Sequence, residues 1–166
     1  MVALNIHHSF REVPSGILVV SFVGLGTIYL FALLMTFGTP VFAINAYLQL
    51  VYFSVLVLSF LGATNWGIAI SASARGISVS LWWYLVTACP MALGWLTLVV
   101  VSPTIKIVLL SLGFFFTFML DVSASIRGYA PPWYKNFRKL MTTAVLIAML
   151  LALVAIRSSI MNISLG

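Results

Sequence analysis

Few side chains in this 166-residue chain could take part in chemistry, and Asn65 is the first of them. It stands in Ser59-Phe60-Leu61-Gly62-Ala63-Thr64-Asn65-Trp66-Gly67, inside a long apolar run. Hydrocarbon cannot satisfy an amide there, so another protein group or a ligand must. At helical spacing Gly62, Asn65, Ala69 and Ala72 share a face, a stripe of small residues that lets a neighbouring helix come close. The expected neighbour is the run containing Pro90, which lacks a donor and so frees the carbonyl of Val86 four residues back. Asn65 lies six residues, about 9 Å, from the end of its run, and Val86 seven residues, about 10 Å, from the start of the next. These matched depths predict a polar helix-packing site of Asn65, Gly62, Trp66, Val86 and Pro90, with the Asn65 amide on the Val86 carbonyl. A place on a ligand or proton pathway is the alternative for Asn65.

Asp121 is the only acid near an apolar run. It follows Ile105 by sixteen residues, about 24 Å of helix, which puts it near a membrane interface. It is expected to pair with Arg127 or Arg75, or to end its helix in water. Next comes Pro131-Pro132-Trp133-Tyr134-Lys135-Asn136-Phe137-Arg138-Lys139. Trp133, Phe137 and Leu140 fall on one helical face, while Lys135, Arg138 and Lys139 lie mostly off it. The pattern predicts a short amphipathic segment on the membrane surface, with Trp133, Tyr134, Lys135, Arg138 and Lys139 touching anionic lipid headgroups or an acidic patch of a partner. His7-His8 reads as a solvated tail, since adjacent histidines do not face one way on a helix.

These residues do not assemble a catalytic set. Two acids, one of them Glu12 in the N-terminal lead, leave no carboxylate pair for acid and base work. A Ser-His-Asp arrangement and a Gly-rich phosphate loop are both missing. Cys89 sits beside Pro90 in mid-run, where desolvation makes a thiol inert. The apolar runs carry no grouped His, Asp, Glu or Cys, so neither a metal nor another cofactor is expected. Nucleic acid is not an expected partner either, because the basic residues form no soluble, aromatic-interleaved face.

The elements that must hold these side chains are spelled out by hydropathy. Residues are 63% hydrophobic and 6% charged, with a mean hydropathy of +1.21, a composition that only lipid makes stable as a surface. The reading is a single all-α domain, residues 1–166, with spans at about 16–37, 46–71, 79–101, 105–120 and 140–156. Pro14 starts the first span, Gly38-Thr39-Pro40 ends it, and Ser102-Pro103 turns the chain between the third and fourth. Five spans leave Arg11, Arg75, Arg127, Lys135, Arg138 and Lys139 on one side, six of the eight basic residues, with Lys106 and Arg157 opposite. The positive-inside bias then orients an integral membrane bundle of five transmembrane helices with its N-terminus cytoplasmic and its C-terminus outside.

Ser59-Phe60-Leu61-Gly62 with Trp66-Gly67, Pro90 with Trp95, Phe114 with Asp121, and Trp133-Tyr134 with Arg138 and Thr142 or Thr143 resemble one polytopic family. It is a family of unknown function from proteobacterial inner membranes that includes a small mitochondrial transmembrane protein. The resemblance covers roughly residues 45 to 155 and is weak over the first span. It implies a membrane location, and it implies His before the Trp-Gly pair more often than the Asn65 found here. The expected function is that of a non-catalytic accessory or assembly subunit of a larger inner-membrane complex of the respiratory-chain kind. The alternative is a small carrier for a lipid-like or other small solute. A bacterial inner membrane is the expected location, with the mitochondrial inner membrane as the alternative.

Overall fold

The computed structural model describes residues 12–165, with side chains through Ser158; His7, His8 and Arg11 lie outside the described residues. Five helices follow one another: α1 Ser15–Phe37, α2 Pro40–Ala74, α3 Leu81–Val99, α4 Pro103–Ile126 and α5 Pro132–Leu165. Each is long and apolar enough to cross a membrane. Proline opens α2, α4 and α5, where its missing N–H is no loss and its fixed φ suits the first turn. The predicted spans are all present, and α2, α4 and α5 extend beyond them. α2 begins six residues earlier than expected, α4 runs to Ile126 and not Leu120, and α5 starts at Pro132. The segment expected to lie separately along the surface is the opening of α5, continuous with the last span.

α1, α2, α4 and α5 surround the main core, built from Ile28, Leu50, Leu58, Leu110, Phe114 and Met149 among others. α3 adds nothing to that core and packs on its outside, against α2 and α4. A second cluster joins the C-terminal ends of α2 and α4 to the N-terminal ends of α3 and α5 through Ala69, Ala72, Trp83, Ala124, Tyr129 and Tyr134. Val13, just ahead of α1, meets Phe137 and Met141 of α5 at the same end of the bundle.

Two turns at this end are built alike. Ser71-Ala72-Ser73-Ala74-Arg75-Gly76-Ile77 closes α2, and Ser123-Ala124-Ser125-Ile126-Arg127-Gly128-Tyr129 closes α4. Gly76 (φ 81°) and Gly128 (φ 72°) take the left-handed conformation that side-chain-bearing residues avoid. Ile77 N donates to Ala72 O at 3.1 Å and Gly76 N to Ser73 O at 3.0 Å; Tyr129 N donates to Ala124 O at 2.9 Å and Gly128 N to Ser125 O at 3.2 Å. Both are Schellman caps, and Ala72, Ile77, Ala124 and Tyr129 gather in the same apolar cluster.

Candidate functional site

Asp121, one turn before the end of α4, is completely buried. Its Oδ1 accepts from Asn65 Nδ2 of α2 at 2.9 Å and from the Tyr134 hydroxyl of α5 at 3.1 Å. Its Oδ2 accepts from Arg138 Nε of α5 at 2.5 Å, a salt bridge whose side chains are 10% and 1% exposed. Three helices therefore converge on one carboxylate. Tyr134 and Arg138 reach it together because four residues make one helical turn. Asn65 Nδ2 also leans on Leu61 O at 3.3 Å, while its Oδ1 is buried with no hydrogen-bond partner among the described residues. The amide points its nitrogen at Asp121 because the opposite orientation would set an oxygen against the carboxylate.

This arrangement corrects several expectations. Asn65 does not bond to the Val86 carbonyl; Val86 is on the side of α3 that adjoins Leu120 and Arg127. The small-residue stripe divides its work, with Gly62 approaching α3 at Thr87 and Pro90 and Asn65 turning to α4. Trp66, expected in the same site, donates its Nε1 to Tyr84 O at 3.0 Å and so adds a second tie between α2 and α3. Asp121 pairs with neither Arg127 nor Arg75. Arg127 stands over the Trp83 ring, 5.6 Å from its centroid, and Arg75 donates to Tyr129 O at 2.6 Å. Arg127 follows Asp121 by six residues on the same helix and cannot turn back to it.

Tyr134 and Arg138 do not offer themselves to lipid headgroups as expected, being 7% and 8% exposed. The buried stripe of α5 runs through Tyr134, Phe137, Arg138, Met141, Thr142 and Val145, and the Phe137 face turns inward onto Val13 and Met141. Lys135 and Lys139 are exposed, and Trp133 is half-buried beside Phe137. The i, i+4 spacing of Tyr134, Arg138 and Thr142 was the sequence signal for this stripe.

Arg138 also lines a half-open cleft of about 370 Å³ bounded by α1, α2 and α5, with Phe114 of α4 among its lining residues. Its wall is otherwise apolar apart from Ser21 and Thr142. Among the described residues no group of three or more His, Cys, Asp or Glu comes together as a metal site would require.

A bundle of five apolar helices tied inside by a buried, ion-paired carboxylate is a polytopic membrane protein, in which buried charges face one another and not lipid. The chain belongs to the family described as "Protein of unknown function (DUF3429)", whose model matches residues 13–154. The match includes the first helix, over which the resemblance read from the sequence was weak. No curated protein and no solved structure matches the chain.

The role of Asn65 has a direct test. At this position the side chain must donate to Asp121, and imidazole carries an N–H that can do so. Asn65→His is expected to hold stability within about 1 kcal/mol, whereas Asn65→Leu loses about 1.5 kcal/mol with the hydrogen bond to a charged acceptor. Reversible unfolding in mixed detergent micelles measures both.

Proposed function

We propose that the protein is a non-catalytic accessory or assembly subunit of a larger inner-membrane complex, of the respiratory-chain kind, with its N-terminus cytoplasmic and its C-terminus outside. The observation that carries this reading is the position of α3 outside the four-helix core. Its outward face runs Trp82, Leu85, Cys89, Ala92, Leu96 and Val99, all exposed, with small residues at the middle and large ones at the ends. A face of that kind lets another helix approach closely at its centre. The only buried ion pair among the described residues meanwhile joins the protein's own helices, and Asp121, which accepts three hydrogen bonds, does not line the cleft beside Arg138.

Affinity isolation of the full chain at native abundance in mild detergent tests the reading. A discrete assembly with partner subunits in fixed ratio is the expected outcome, and it should dissociate when Ala92 is replaced by Trp. A bare monomer overturns it. The carrier reading is favoured by one feature, the cleft beside Arg138, and transport of a lipid-like solute by the isolated chain in vesicles would put that reading first.

A further inference from the structure

We propose that the cleft between α1, α2 and α5 is a binding site for one membrane lipid, which lays an acyl chain along the cleft and sets a neutral ester carbonyl on Arg138 and Thr142. The inference goes beyond the accessory reading and does not depend on it.

Three polar side chains that keep donors without a partner among the described residues meet at one end of this apolar space. Of the Arg138 guanidinium only Nε is hydrogen-bonded among the described residues, and the side chain lines the cleft. Thr142 is 5% exposed, yet its hydroxyl makes no bond to a carbonyl of its own helix, unlike Thr117, Ser111 and Thr143 on the neighbouring turns of α4 and α5. Ser21 on α1 is likewise without a partner among the described residues, and all three line the cleft. Ser21 and Arg138 each follow the first residue of their helix by six positions, about 9 Å, and both helices start at the same end of the bundle. Ser21 and Arg138 therefore sit at one depth, and Thr142 lies one turn, about 6 Å, further along α5.

Away from that end the cleft is lined by Ile28, Phe53, Phe114 and Val145. Along α1 it extends from Val20 to Ile28, about 12 Å of helix. Val20, Val23, Leu56 and Phe60 at its margin are 62% to 66% exposed, so the opening lies on the bundle's outer surface, where lipid is the solvent. An occupant must thus be apolar over most of its length and bear an acceptor at one end. The acceptor must also be uncharged. Asp121 already neutralises Arg138, and a second anion on the same guanidinium would leave an uncompensated charge in a medium of low dielectric. An ester carbonyl of a bilayer lipid meets these conditions.

Native mass spectrometry of the full-length protein in detergent, with dioleoyl phosphatidylcholine, dioleoyl phosphatidylglycerol or an isoprenoid benzoquinone added, tests the proposal. A Cβ at Gly24, which lines the cleft, meets nothing within 4 Å, so Gly24→Leu fills the space without displacing backbone. Gly26 is equally open but does not line the cleft, and Gly26→Leu is the control. The expected result is one phospholipid retained per chain whichever headgroup it carries, lost in Gly24→Leu and kept in Gly26→Leu. Thr142→Val, nearly the same shape without the hydroxyl, should weaken retention roughly three- to tenfold. Retention of only the anionic lipid, preference for the quinone, equal loss in both glycine variants, or wild-type retention by Gly24→Leu would overturn the assignment.

Discussion

Asp121→Ala is expected to destabilise the bundle by about 3–5 kcal/mol, and a second change, Arg138→Met in the Asp121→Leu background, to restore most of that loss. The single variant strands a guanidinium that is 10% exposed, together with a tyrosine hydroxyl and an amide that all point at the missing carboxylate. The double variant removes both charges and fills their volume with apolar atoms, which for buried ion pairs is often neutral or better. Unfolding in mixed micelles, followed by tryptophan fluorescence, gives the two values. Equal losses in the single and double variants would show that the pair is not the tie it is taken to be. Arg138→Met alone should behave like Asp121→Ala, since it leaves the Asp121 charge buried with hydrogen bonds from Asn65 and Tyr134 but no counter-ion.

Gly62→Val should cost about 1–3 kcal/mol or more, through forced separation of α2 and α3. A Cβ at Gly62 would stand 2.9 Å from the carbonyl oxygen of Thr87 and 3.6 Å from Pro90 Cβ. The first of these is backbone and the second a ring, so neither can swing aside as a flexible side chain would. Moving α3 outward would also stretch the bond from Trp66 Nε1 to Tyr84 O. Gly67, five residues on, faces open space; Gly67→Ala should stabilise by up to about 1 kcal/mol through helix propensity alone. A Gly62 variant as stable as the Gly67 variant would refute the close approach of the two helices.

Much of the fold was legible because lipid imposes a simple rule, about twenty apolar residues per crossing, and five such runs can be counted by eye. The small-residue stripe around Gly62 was legible for the same kind of reason, since spacing alone puts those residues on one face. The centre of the site was not. Hydropathy ends the fourth run at Leu120, but Val122, Ala124 and Ile126 carry the helix a further turn and more, so that Asp121 lies within the bundle and not at its edge. Charge counting placed Arg138 among the residues that set orientation, although its charge is cancelled internally. Among the described residues, Arg75, Arg127, Lys135 and Lys139 are the exposed cations left at that end. The preference of aromatic residues for interfaces points to a surface role for Trp133, Phe137 and Leu140, whereas Phe137 turns inward with Tyr134, Arg138 and Thr142, and Leu140 stays exposed. The paired Ser-Ala-Ser-x-Arg-Gly turns were present as a repeat in the letters and marked both helix ends.

The two ionised partners are only seventeen positions apart, whereas Asn65 is fifty-six positions from Asp121. During biogenesis, α4 and α5 can thus leave the translocation machinery as a hairpin whose opposite charges already cancel. The amide of α2, inserted earlier and carrying no charge, can wait in the bilayer and dock last. Lengthening the α4–α5 connection would put that order at risk, because the acid would then face hydrocarbon before its base had been synthesised.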